Sequence, residues 1–456
     1  YELSMDGKKM LIQKSSEIYI IDASGDAPKN LNETKVDLSG WSFSLNPRDE
    51  WRQMFLEAWR LERDYFYDTT LHDIDYDGLL EKHLPLVARV SDRYELSDLI
   101  SHLVGELSAL HIFVRGGDLR ETPDDIQIGS LGARLIRDEA RGGYRIDHIV
   151  RTDPDYPELR SPLAYPDVDI KVGDVIKEMN GVSLLTVTDP SILLRNQVSK
   201  QVLLTIVSGS TGDSHQEIVR TISAREESDL RYHEWEYERR LMVEKEGKGD
   251  LGYVHLRAMG GNNYSEWVKN FYPVYNRKGL IIDVRHNRGG NIDSWILEKL
   301  LRKAWFYWKP RVGQPTWNMQ YAFRGHIVVL INERTASDGE AFAEGFRRLG
   351  LGELIGTRTW GGEIWLSSNN FLVDRGIATA AETGVYGPEG EWLIEGHGVD
   401  PDIMVDNLPH ETFNGKDAQL ERAIRYLQEK IEKEPVDVPV HPQYPDKSFQ
   451  YDDKIP

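Results

Sequence analysis

Residues 331–340, Ile-Asn-Glu-Arg-Thr-Ala-Ser-Asp-Gly-Glu, put a serine where chemistry is possible. The apolar run His326–Ile331 predicts a buried strand, and the pattern from Asp338 to Leu349 predicts an amphipathic helix. Ser337 then stands where strand turns into helix. The first N–H groups of a helix lack partners inside it and sit at the positive end of its dipole. A serine there can be a nucleophile, with N–H groups beside it to hold an oxyanion. The same place suits a serine that only caps the helix, so the local pattern leaves both readings open.

Three other segments bear on the choice. Leu280-Ile-Ile-Asp-Val-Arg-His-Asn-Arg-Gly-Gly-Asn291 is a β-branched run ending in a polar turn with Gly289 and Gly290. Glycines let a backbone approach a ligand closely, so an N–H here could form an oxyanion hole with that of Asp338; a plain strand-to-helix turn would look similar. Val104-Gly-Glu-Leu-Ser-Ala-Leu-His111 predicts an amphipathic helical stretch ending at His111, a candidate base, with His102 as its rival. Trp392-Leu-Ile-Glu-Gly-His-Gly-Val-Asp-Pro-Asp-Ile403 places Glu395 in a glycine-rich turn from which a carboxylate could reach a site; alone it reads as a solvated acid.

Taken in order, these segments resemble the tricorn-type serine peptidases, relatives of the carboxyl-terminal-processing proteases. Further matches are Pro47–Asp68, which looks like the start of the helical domain, Gly105-Glu-Leu, Asp283-Val-Arg with Asn287, Asn332-Glu, Gly350-Leu-Gly, Gly356-Thr-Arg-Thr-Trp-Gly-Gly362 and Gly398-Val-Asp-Pro-Asp-Ile403. The resemblance runs over nearly the whole chain. It implies Ser337 as nucleophile, His111 as base, Glu395 as its orienting acid, and the N–H groups of Gly289 or Gly290 and of Asp338 as the oxyanion hole. Two positions depart from the family pattern. Leu110 stands where a serine normally bridges glutamate and histidine, and Gly396 follows Glu395 where asparagine is usual. The carboxyl-terminal-processing enzymes use a lysine base in a turn after the nucleophile; Thr359-Trp-Gly-Gly362 has none, which points to histidine.

The elements that must position these residues follow from pattern. The chain has 456 residues, 40% of them hydrophobic, with 12 Trp, no Cys and a formal net charge of −20. That is enough for about three packed domains. The charge speaks against nucleic acid and anionic membranes as partners, and the lack of cysteine excludes disulfides and a thiol nucleophile. No metal motif of the His-Glu-x-x-His type and no phosphate loop occurs, so no metal or other cofactor is expected. No apolar run of about 18 residues predicts a membrane span.

The expected fold is α/β and mixed multidomain. Residues 1–45 read as strands resembling the end of a β-propeller. Residues 46–120 read as a helical domain carrying the histidine, and 125–225 as a PDZ-like β domain with a helix at Ser191–Val198. Residues 226–434 read as an α/β peptidase core and 435–456 as a proline-rich tail. The expected function is hydrolysis of peptides; the alternative is a catalytically weak or inactive peptide-binding protein, which Leu110 favours. The resemblance further implies a homo-oligomer, a hexamer in this family. It implies a cytoplasmic location, or a periplasmic or secreted one if a signal peptide has been lost from before Tyr1.

Overall fold

The computed structural model describes residues 1–26, 28–119, 125–367 and 370–449. Residues 450–456 of the expected tail lie outside this set. The chain opens with a three-stranded antiparallel sheet, Glu2–Leu3, Lys9–Lys14 and Glu17–Asp22. A helical layer follows. Helix α1 (Pro47–Tyr65) starts at an Asn46 cap with Pro47 in its first turn, where a missing N–H costs nothing. Its apolar face, Met54, Phe55, Ala58 and Trp59, packs with Leu96, Ile100 and Leu103 of helix α2 (Arg93–Gly105).

The β domain is an antiparallel sheet. Strands β1 (Ala133–Asp138), β2 (Gly143–Ile149), β3 (Val175–Met179), β4 (Gln201–Val207) and β5 (Ser214–Arg220) lie in the spatial order β5-β4-β3-β2-β1, with β1 at the edge. The Asn180-Gly181 turn follows β3, both residues having positive φ. The helix expected at Ser191–Val198 is instead a single 3₁₀ turn, Pro190–Leu194. Asp189 caps it and Pro190 starts it, but Asn196 adopts φ 54° and ends any continuation.

Helix α3 (Ala224–Gly247) leads into a second sheet. Its strands β6 (Leu251–His255), β7 (Gly279–Asp283), β8 (His326–Ile331), β9 (Gly352–Gly356) and β10 (Ile403–Met404) are adjacent in that order and all parallel. Every residue of β6 and β7 is buried, as expected of strands covered on both faces. On one face lie α4 (Gly261–Phe271), α5 (Asp293–Leu300) and α6 (Asp338–Arg348), contributing Trp267, Ile296, Phe342 and Phe346. On the other lies α7 (Ala418–Lys433), with Leu420, Ala423, Ile424 and Leu427.

One connection crosses between layers. After β9 the chain leaves the parallel sheet, and Ile364, Leu372, Ala378 and Ala381 bury themselves in the core of the helical layer. There Ile377–Ala378 pairs with Val114–Arg115. This crossing brings residues from three parts of the sequence to one place.

Candidate active site

Ser337 stands at the C-terminal end of β8, immediately before α6. Its backbone has φ 55° and ψ −129°, a conformation that costs a non-glycine residue about 1–3 kcal/mol and is held by its surroundings. The Ser337 N–H donates to Glu340 Oε2 at 3.0 Å, while the Ser337 side chain makes no capping hydrogen bond. The hydroxyl is half-buried and not spent on the helix.

The loop after β7 packs directly against this turn. A Cβ on Gly289, which has φ +79°, would meet Ser337 Cβ at 2.5 Å and Oγ at 2.9 Å. Asn287 organises the approach. Its Oδ1 accepts the Gly289 N–H at 2.8 Å, its Nδ2 donates to the Leu256 carbonyl at 2.7 Å, and its own carbonyl accepts the Ala336 N–H at 2.9 Å. The Gly289 N–H is therefore occupied. Among the described residues the N–H groups of Gly290 and Asp338 have no hydrogen-bond partner, which leaves them as the available donors. The Asp338 carboxylate staples the two segments, accepting the N–H groups of Ile292 (2.6 Å) and Asp293 (3.1 Å). Burial and the neighbouring Asp293 charge push the Asp338 carboxyl up to about 7.

His111 lies beyond the helix expected to carry it. Helix α2 ends at Gly105, and the turn that follows includes Ser108 at φ 54°. A polar stretch, Gly105-Glu-Leu-Ser, has no apolar period to sustain the helix. His111 is 5% exposed and its ring meets the edges of Phe113 (5.9 Å) and Trp360 (5.4 Å). Thr379 Oγ1 donates to its carbonyl at 3.2 Å. Its Nδ1 is buried without a partner. Burial lowers its pKa from the ordinary 6.5, while the Glu395 charge pulls the other way. His102, the rival, is exposed on α2.

Glu395 is no solvated turn acid. Its Oε1 accepts the Leu110 N–H at 3.0 Å, and its Oε2 accepts those of Glu363 (2.7 Å) and Ile364 (3.1 Å). It thus grips the backbone beside the histidine. The Leu110 side chain is 39% exposed.

Sequence reasoning passed over Glu340, Glu363 and Thr379, and read Thr359 and Trp360 only as part of a matching turn. The capping-box pattern Ser337-x-x-Glu340 was a legible signal for the first. Nothing local marks what the others touch, which is decided by contacts across 19 to 268 positions. Glu363 is 2% exposed; burial and then the Glu340 charge push it up to about 9.

A half-buried serine on a strained strand-to-helix turn, unoccupied N–H groups from two loops and a buried histidine are the parts of a serine-type peptidase. Residues 250–405 match peptidase family S41, residues 47–105 the tricorn protease C1 domain and residues 129–224 the tricorn protease PDZ domain. Tricorn protease homolog 1 of Streptomyces coelicolor is 35% identical over 445 residues, covering 96% of this chain and 41% of that protein. A putative tricorn-like protease C-terminal subunit of Sulfurisphaera tokodaii is 35% identical over 438 residues, 95% of this chain and 50% of that one. The crystal structure of the tricorn protease superposes with a TM-score of 0.83 at 28% identity, over 94% of this chain and 41% of that one. The chain belongs to the serine-type peptidases of family S41 and, within them, to the tricorn type. It spans half or less of the length of these relatives.

Proposed function

We propose that this chain hydrolyses peptides by a Ser/His/Glu mechanism. Ser337 Oγ attacks the carbonyl carbon. His111 takes the hydroxyl proton and later gives it to the leaving amine. The N–H groups of Gly290 and Asp338 receive the developing oxyanion, each such donor commonly being worth about 3 kcal/mol. Glu395 holds the Leu110–His111 backbone and favours the charged histidine of the transition state. The observation that carries this reading is the Ser337 turn, where a strained backbone presents a hydroxyl that caps nothing. Apo sites often have longer nucleophile–base separations than the reacting complex.

The alternative, a peptide-binding protein without turnover, rests on Leu110. The bond from the Leu110 N–H to Glu395 supplies an anchor in place of the missing hydroxyl and favours catalysis. Labelling with a fluorophosphonate, followed by mapping of the modified residue, decides between them. Modification at Ser337, with loss of hydrolysis of fluorogenic peptides, is expected; a folded protein that neither labels nor cleaves establishes the binder.

The same reading takes residues 1–45 as the end of a β-propeller, 46–120 as the helical domain, 125–225 as the PDZ-like domain, 226–434 as the catalytic core and 435–456 as a tail. It also takes the working form to be a homo-oligomer, a hexamer as in the family, in the cytoplasm. No helix among the described residues is long and apolar enough to cross a membrane.

A further inference from the structure

We infer that Glu340 is the positioning residue that registers the base against the nucleophile, joining the Ser337 turn to the turn at residues 359–362 and through it to His111. The inference rests on the serine-peptidase reading above. Glu340 is completely buried at the third position of α6. Its carboxylate accepts four hydrogen bonds. One is from the Ser337 N–H (3.0 Å); the others are from Thr359 Oγ1 (2.5 Å) and the N–H groups of Gly361 (2.6 Å) and Gly362 (3.0 Å). A glutamate that only completes a capping box needs the first bond alone and remains solvated. Burying the carboxylate under three donors from a distant turn makes it a joint between two loops.

That turn leads to His111 by two routes. Trp360 presents its ring to the histidine at 5.4 Å, and its N–H is held by the Thr335 carbonyl at 3.0 Å. The Gly361 carbonyl accepts the Gly396 N–H at 2.8 Å, next to Glu395, whose carboxylate holds the Leu110 N–H. The joint has little play. Gly361 has φ +98°, and a Cβ there would lie 3.0 Å from the Gly398 nitrogen. Thr359 is fixed at both ends, its Oγ1 donating to Glu340 and accepting the Val399 N–H at 2.7 Å. Glu340 touches no substrate in this scheme. It sets where Trp360, Glu395 and hence His111 stand relative to Ser337.

Glu340→Gln, made in the full chain, keeps the size but turns a donor toward N–H groups that need an acceptor. The kcat for a fluorogenic peptide should fall about 10²-fold, the cost of a misplacement near 1 Å, with KM held and fluorophosphonate labelling slowed in parallel. Thr359→Val, which removes one donor, should also lower kcat at constant KM, and Thr359→Ser should restore it. Unchanged kcat in folded Glu340→Gln overturns the inference, as does a fall in kcat matched by a rise in KM. If Glu340→Gln does not fold, the threonine pair decides: equal kcat in Thr359→Val and Thr359→Ser overturns it. Wild-type protein without Ser337-dependent turnover or labelling sinks the peptidase reading and this inference together. An active wild type with an indifferent Glu340→Gln sinks only this inference.

Discussion

At the residue scale the proposed mechanism turns on a buried imidazole, His111, that follows Leu110. A base must be neutral to accept the Ser337 proton, and burial lowers the His111 pKa from the ordinary 6.5. A lowered pKa keeps the ring neutral into more acidic solution. The acid limb of the kcat/KM profile should therefore fall below pH 6.5, and a limb at pH 7 or above would show that the Glu395 attraction wins instead. Leu110→Ser tests the bridge itself. Because the Leu110 side chain is 39% exposed, a hydroxyl there meets no apolar enclosure and carries little burial penalty. The expected outcome is a rise in kcat of about tenfold at constant KM, a modest part of what general-base catalysis supplies. An unchanged kcat would mean that the bond from Leu110 N–H to Glu395 already does the orienting. Ser337→Ala should cut turnover by about 10⁴-fold or more without loss of fold.

At the scale of elements, the Ser337 turn and the 284–293 loop are interlocked. Asn287, Asp338 and the bare Cα of Gly289 each close part of the gap between them. Gly289→Ala must push its methyl against the Ser337 side chain and strain a backbone at φ +79°. Kinetics should show a fall in kcat of roughly 10²–10³-fold, comparable to losing one oxyanion donor, with secondary structure retained by circular dichroism. Wild-type kcat in this variant would place the loop elsewhere during turnover.

For the whole molecule, the decisive feature is the segment from Glu363 to Glu395. It leaves the peptidase core, seats its apolar residues among α1 and α2, and returns with Glu395, which holds the Leu110 N–H. Glu62 of α1 lies buried in this seam, 1% exposed, with Oε2 unpartnered and its pKa raised to about 8 by burial. The folded state holds this proton up to about pH 8, whereas the unfolded chain releases it near its ordinary pKa of about 4.3. The stabilisation is complete below about pH 4 and is lost as pH rises toward 8. Thermal unfolding should show wild-type Tm declining from pH 5 to 8, and Glu62→Gln, which carries no titrating proton, declining less. Parallel curves for the two proteins would remove Glu62 as the cause. Light scattering should find a homo-oligomer; a monomer under conditions of activity would show that one chain suffices.

Local pattern determined a good part of this protein. The strand His326–Ile331 coincides with its apolar run, because a stretch buried on both faces needs no partner to declare itself. Helix α6 was likewise legible, within a residue of its predicted limits, from its period. The residues Ser337, His111 and Glu395 were legible as motifs in order. What tertiary structure alone decided is how their segments meet. That the Gly289 N–H is taken by Asn287, that Glu395 reaches Leu110 across 285 positions, and that Glu340 spans two loops depend on contacts between distant segments. Helical period describes which face a segment would bury, but the packing around it decides how far that face is used.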